Sequence, residues 1–116
     1  MPIFVLLAAI LLGAALGVPA RADENPVFVI EFADGAITPQ TIEVPADRPF
    51  KLELRNTGVS PVEFESLELR KEKVLGPGVT SFIVIRRLSS GEYRFFDDFH
   101  PGTPPALLIA REDIAP

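Results

Sequence analysis

The chain has 116 residues, a formal net charge of −5 and no cysteine. This length is enough for one small domain with a single core. The negative charge argues against a protein that binds nucleic acid or an anionic membrane surface. Because there is no thiol, the sequence excludes disulfides, cysteine nucleophiles, iron–sulfur clusters and the thiolate of a blue-copper centre.

Residues 1–20 form an almost wholly apolar run that contains no acidic or basic side chain. Ala20-Arg21-Ala22 has the A-x-A pattern of a cleavage site, and the sequence then becomes polar. This arrangement predicts a secretory signal peptide over residues 1–22 and an exported domain over residues 23–116. No lysine or arginine precedes the apolar run, so an uncleaved membrane anchor over residues 1–22 is the alternative.

Short apolar runs separated by turn residues fill the rest of the chain, and none of them has a helical period. The clearest run is 50–55, in which Phe50, Leu52 and Leu54 alternate with charged residues. The predicted strands are 27–33, 41–44, 50–55, 61–66, 80–85, a strand that begins near Tyr93, and 106–110. Residues 67–70 fit either a strand or a helical turn, and 71–73 form a charged surface run. This pattern predicts an all-β fold, a single Greek-key antiparallel β-sandwich of about seven or eight strands.

One stretch near the end of the chain concentrates residues that can bind a metal. The strand that begins near Tyr93 leads into Asp97, Asp98 and His100, the only histidine, and then into a proline-rich loop. Oxygen and imidazole ligands on a stiffened loop are suited to a divalent cation. Adjacent residues of an extended chain point to opposite faces, so at most one aspartate is expected to point inward. The alternative is a histidine bonded to the backbone beside solvated turn acids.

Glu63 and Glu65 form a second group of candidate ligands. They lie on one face of a predicted strand, about 7 Å apart, so both can flank one ion or two neighbouring ions. The alternative is that they form the polar face of an amphipathic strand. Glu68 and Glu72 are weaker candidates for a second, more exposed carboxylate site.

Residues 91–102 resemble the metal-site corner of the cupredoxins. In that fold a G-x-Y-x-F strand runs into a loop with a copper-binding cysteine, a histidine three residues later and usually a methionine. Asp97 occupies the cysteine position and His100 the histidine position, whereas no methionine follows. The histidine normally supplied from residues 56–66 is absent as well.

Together with Asn56-Thr57-Gly58, Glu63-Phe64-Glu65 and residues 72–78, this corner makes the chain similar to one branch of the fold. That branch is the cupredoxin-like domains of bacterial periplasmic iron-uptake systems, of the EfeO type or encoded beside ferrous-iron permeases. The resemblance implies a β-sandwich, a periplasmic location, a copper or iron ion, and an iron permease or another uptake component as partner. It also implies metal ligands at the E-x-E position and at Asp97.

The first functional hypothesis is an exported metal-binding protein that assists ferrous-iron oxidation or delivers iron to a permease. Its expected ligands are Glu63, Glu65, Asp97, Asp98 and His100. The alternative is a metal-free adaptor, which predicts that replacing His100 or Glu65 by alanine leaves iron uptake intact while changes near 71–73 abolish it. An immunoglobulin-like structural module is a third reading. No Ser-His-Asp arrangement stands out in the sequence, so a hydrolase is not expected.

Overall fold

The computed structural model describes residues 25–114, which form nine strands in two sheets. The strands are β1 (Val27–Ala33), β2 (Ala36–Thr38), β3 (Thr41–Pro45), β4 (Phe50–Asn56), β5 (Val62–Ser66), β6 (Lys71–Leu75), β7 (Thr80–Ile85), β8 (Gly91–Asp97) and β9 (Ala106–Arg111). The predicted signal segment, residues 1–22, lies outside the described residues. Across residues 25–114 no helix has the length and apolar character needed to cross a membrane.

The strands form two packed sheets. The first has the order β2-β1-β4-β7 and the second the order β3-β9-β8-β5-β6. All pairs are antiparallel except β1 with β4 and β3 with β9, which are parallel. Parallel neighbours cannot be joined by a tight hairpin, and between β1 and β4 the chain forms β2 in one sheet and β3 in the other. The predicted all-β sandwich is confirmed, with nine strands instead of seven or eight.

The sequence pattern did not predict β2 and β6. Strand β2 has three residues and follows a tight turn in which Asp34 and Gly35 have φ angles of 48° and 97°. Strand β6 covers the charged run at residues 71–73 and pairs with β5 along its whole length. A strand at the edge of a sheet can carry charges on both faces because no opposing sheet covers it. Strand β6 therefore lacks the alternation of apolar and polar residues by which the other strands were predicted.

The core lies between the two sheets and is built from alternating residues. Phe50, Leu52 and Leu54 of β4 are fully buried, as the sequence predicts. The Phe64 ring lies 5.3 Å from that of Phe95 in the same sheet and 6.4 Å from that of Phe32 in the opposite sheet. Full burial of one such side chain contributes about 1.5–3 kcal/mol. In the absence of disulfides, this packing supplies most of the stability.

Candidate metal site

Strand β5 separates core residues from acidic residues by its alternation. Val62 and Phe64 are fully buried, whereas Glu63 and Glu65 lie half-buried on the outer face of the five-stranded sheet. The sequence predicted that the two glutamates share a face. They project from a strand paired on both sides, with β6 and β8, so their backbone positions are held firmly.

The end of β8 brings Asp98 next to these glutamates. Phe64 pairs with Asp97 across β5 and β8, and the backbone N–H of Asp98 donates to the carbonyl of Glu63 at 2.9 Å. Asp97 is buried and Asp98 is exposed, so the two aspartates point to opposite faces. One carboxylate oxygen from each of Glu63, Glu65 and Asp98 lies within 4.8 Å of the others. We call these three residues the acidic cluster.

The acidic cluster holds like charges close together. The pKa of Glu63 is raised by burial first, then by a hydrogen bond with Asp98 and by the neighbouring carboxylates. The pKa of Glu65 is raised by burial and by the charges of Asp98 and Glu72. Glu72 stands opposite Glu65 in the register of β5 and β6, outside the group of three. A bound cation would relieve this repulsion.

The carboxylate of Asp97 is saturated with hydrogen bonds. Its Oδ1 accepts the backbone N–H groups of Glu63 and Phe99, each at 3.0 Å. Its Oδ2 lies 2.6 Å from Nδ1 of His100. Asp97 is 2% exposed, so these bonds replace the water that burial removes. The carboxylate therefore fixes the end of β8 against β5.

The other nitrogen of His100 is engaged as well. Its Nε2 lies 3.1 Å from Oγ of Ser60, and this hydroxyl contacts Oδ1 of Asp34 at 2.5 Å. The same oxygen of Asp34 accepts the backbone N–H groups of Val59 and Ser60, each at 3.1 Å. The Ser60 hydroxyl bond is the largest of the interactions that lower the pKa of Asp34. We call Asp34, Ser60, His100 and Asp97 the polar corner.

The polar corner does not fit the thiolate copper centre of a cupredoxin. The chain has no cysteine, and both nitrogens of His100 already contact Asp97 and Ser60. A cation at His100 would have to displace one of these contacts. The structure thus brings together three predicted ligands, Glu63, Glu65 and Asp98, and places the other two in a separate network. A ligand role for Asp97 and His100 stays a prediction.

Sequence reasoning did not identify Ser60 and Asp34 as parts of this region. Ser60, His100 and Asp97 have the connectivity of a hydrolase triad, which their wide spacing in the sequence conceals. A nucleophilic role is nevertheless disfavoured, because Asp34 already occupies the N–H groups of Val59 and Ser60 that could stabilise an oxyanion. Asp34-Gly35 and Asn56-Thr57-Gly58 mark two turns in the sequence, but no local pattern indicates that these turns lie close together.

Glu68 lies outside the acidic cluster. Its carboxylate pairs with Arg94 at 3.8 Å beside an open pocket of about 520 Å³. Phe96 and His100 also line this pocket, so it adjoins the polar corner. The pair is exposed and carries little energy. The structure therefore gives Glu68 a pairing partner, while Glu72 is the carboxylate that adds charge to the acidic cluster.

Comparisons with known proteins agree with this architecture. Auracyanin A, a blue copper protein from Chloroflexus aurantiacus, superposes with a TM-score of 0.64 at 9% identity, over 76% of this chain and all of that one. A purple cupredoxin from Nitrosopumilus maritimus gives 0.54 at 16% identity, over 72% of this chain and 98% of that one. At these identities the likeness concerns the fold alone.

A sequence relative and a family model connect the chain to a family. The uncharacterized protein RP394 of Rickettsia prowazekii (strain Madrid E) is 30% identical over 95 residues, which cover 81% of this chain and 76% of that protein. The model of the cupredoxin-like domain matches residues 4–110. The chain therefore belongs to the family of cupredoxin-like domains.

Proposed function

We propose that this chain is an exported cupredoxin-like protein that binds an iron or copper ion through the acidic cluster. The observation that carries the proposal is the approach of Glu63, Glu65 and Asp98 oxygens to within 4.8 Å. The pKa values of both glutamates are raised, first by burial and then by the neighbouring carboxylates, so full ionisation of the cluster is disfavoured without a cation. A cation binds the deprotonated carboxylates, so its binding competes with proton binding.

The oxygen donors of the cluster limit which cations fit. Carboxylates suit Fe(II), Fe(III), Mn(II) and Cu(II) and do not suit Cu(I), which prefers sulfur. Three negative charges stabilise a trivalent ion more than a divalent one, so ferrous iron held here would be easier to oxidise. The residues themselves hold the ion and exclude part of its water on a rigid sheet face. A blue colour is not expected, because no thiolate is present.

The role that we propose is assistance to ferrous-iron oxidation or delivery of iron to a permease. Its support is the resemblance of residues 56–58, 63–65 and 91–102 to periplasmic iron-uptake domains. The signal pattern at residues 1–22 supports an exported, periplasmic location. Asp97 and His100 are an alternative pair of copper ligands. Copper bound at His100 would replace the contact between His100 and Ser60.

Calorimetric titration of the purified protein tests the proposal. The titrants are Mn(II), Cu(II) and, under nitrogen, Fe(II), with Mn(II) also followed by its paramagnetic resonance signal. We expect binding at micromolar dissociation constants or tighter for at least iron or copper, and a loss of about tenfold or more in Glu65→Gln and Asp98→Asn. Glu92→Gln removes the same charge at an exposed position of β8 outside the cluster and serves as the matched control.

The variant His100→Ala separates the two sets of donors. If the acidic cluster binds the cation, His100→Ala retains iron affinity within a fewfold range while Glu65→Gln loses it. A loss confined to His100→Ala moves the copper ligand to the polar corner. Absence of binding for all three ions would refute the metal-binding function and favour a metal-free adaptor.

A further inference from the structure

A groove of about 710 Å³ lies between β6 and β7, the last strands of the two sheets on one side of the sandwich. In the described residues each of these strands has a hydrogen-bonded neighbour on one side alone, β5 for β6 and β4 for β7. The outer N–H and C=O groups of such edges can accept an added strand. The apolar residues that line the groove are Leu69, Phe82, Ile83, Val84, Ile85 and Leu88.

Two lysines of β6 point towards the interior side of this groove. Lys71 stands opposite Ser66 and Lys73 opposite Phe64 in the pairing with β5. Ser66 and Phe64 face the core, and directly opposed residues share one face of a sheet. The lysines therefore face inward, yet they are exposed because the groove is open at their position.

Arg86 and Arg87, which follow β7, bring the number of basic side chains along the groove to four. In the part of the chain that the structure describes, none of the four forms an ion pair with a carboxylate. Glu72 is the one acidic residue that lines the groove, and its charge acts on Glu65 at the acidic cluster. A molecule with a net charge of −5 thus concentrates four of its eleven lysines and arginines here.

The edge of β7 also exposes apolar surface. Phe82 and Val84 lie on the outer face of this strand and are 47% and 46% exposed. The lysines protect β6 against unwanted strand pairing, whereas β7 carries no charge between residues 80 and 85. The outward side chains of an added strand would pack beside Phe82 and Val84, so the edge of β7 is the better acceptor.

We propose that this groove binds an extended acidic segment of a partner protein, added as a strand at the edge of β7. Alternate side chains of such a strand point to opposite faces. Acidic residues would then face Lys71 and Lys73 in the groove, and apolar residues would lie beside Phe82 on the outer face. A lipid surface or a nucleic acid would leave the backbone of the edge unpaired, and the net negative charge opposes both.

Fluorescence anisotropy with defined peptides tests this proposal without any metal. The probe is a labelled peptide of alternating glutamate and valine, about eight residues long, with blocked ends, and the control peptide alternates lysine and valine. We expect the glutamate peptide to bind and the lysine peptide not to bind. Added salt should lower the affinity for the glutamate peptide. The double variant Lys71→Glu/Lys73→Glu should lose tenfold or more in affinity. The control variant Arg94→Glu/Arg111→Glu makes the same change in net charge outside the groove and should keep the wild-type affinity.

Two further measurements identify strand addition. Phe82→Ala should weaken the glutamate peptide severalfold, whereas Val59→Ala, at an exposed position away from the groove, should not. Amide hydrogen exchange of residues 80–85 should slow in the complex. Equal binding of both peptides, no saturable binding, or affinity unchanged by charge reversal would overturn the proposal. Protection of residues 80–85 by phosphatidylglycerol vesicles or by self-association, and not by the peptide, would overturn it as well.

Discussion

Asp97 and Asp98 are neighbours in sequence and belong to two regions with opposite electrostatics. In the polar corner, the buried Asp97 carboxylate accepts two backbone N–H groups and contacts His100. In the acidic cluster, burial and the neighbouring charge of Asp98 both raise the pKa values of Glu63 and Glu65. Hydrogen bonds within the protein satisfy the corner, whereas the carboxylates of the cluster would gain from a bound cation or from protons. Polar groups that are fully hydrogen-bonded stabilise the fold. Carboxylates that repel one another indicate a place where a bound cation would lower the free energy.

The same comparison shows what occupies this corner in a cupredoxin-like domain that has no cysteine. The resemblance places Asp97 and His100 where cupredoxins hold their metal. Here those side chains bond to each other and to Ser60, so the corner joins three loops through hydrogen bonds. The candidate metal ligands lie on the adjacent outer face of β5 and β8. Structural support and the proposed ligand binding would thus be divided between the two faces of the same sheet.

Replacing Asp97 by alanine tests the structural role of the corner, and we expect the largest effect of this series. The change leaves the N–H groups of Glu63 and Phe99 and one nitrogen of His100 without an acceptor. The free energy of unfolding should fall by about 3–5 kcal/mol. Urea unfolding followed by circular dichroism measures this loss.

Asp97→Asn is the matched variant, because its amide oxygen can still accept the two backbone N–H groups. Its loss should be smaller, about 1–2 kcal/mol. The control Asp98→Asn changes the same charge on the exposed neighbour and should leave stability unchanged or slightly increased. If Asp97→Ala and Asp98→Asn had equal effects on unfolding, the contrast between the two regions would be wrong.

Gly58→Ala tests the close approach of two loops at the corner. A Cβ at this position would lie 2.8 Å from the backbone nitrogen, Cγ and Oδ1 of Asp34. The clash should separate Asp34 from Ser60 and lower the free energy of unfolding by about 1–3 kcal/mol. Gly76→Ala is the control, because its Cβ would meet nothing closer than Val79 at 3.7 Å. An equal loss in thermal stability for both variants would contradict the role of this contact.

The sequence predicted the sandwich, most of its strands and the alternation of Asp97 and Asp98. These features could be predicted because the alternation of apolar residues and the turn residues that bound a strand are visible within a short stretch of sequence. It missed β6, whose lysines lie on the interior side of an edge that the opposite sheet leaves open. It also missed Asp34 and Ser60, which contact each other across 26 residues of sequence. Hydrogen bonds between distant loops leave no local pattern, so the division of the predicted ligands into two groups required the structure.

The two regions should respond to pH in opposite directions. The pKa values of Glu63 and Glu65 are raised in the folded state, so the unfolded chain loses these protons first as the pH rises. Stability from this source is therefore lost as the pH rises above the unfolded value, and the loss is complete above the raised values. The pKa of Asp34 is lowered, so its contribution is present above the unfolded value and is lost as the pH falls through the lowered one.

Thermal melts of wild type and Glu65→Gln, without added metal, measure the smallest of these effects. The variant lacks the charge that repels Glu63 and Asp98, so its melting temperature should exceed that of wild type by a few degrees at about pH 7 and match it at about pH 4. Added Mn(II) should raise the melting temperature of wild type and leave that of the variant unchanged, because cation binding and proton binding relieve the same repulsion. Glu92→Gln, the control at an exposed site, should follow wild type throughout. A variant that melts at the wild-type temperature at neutral pH and still responds to Mn(II) would show that Glu65 carries neither the repulsion nor the ligand role.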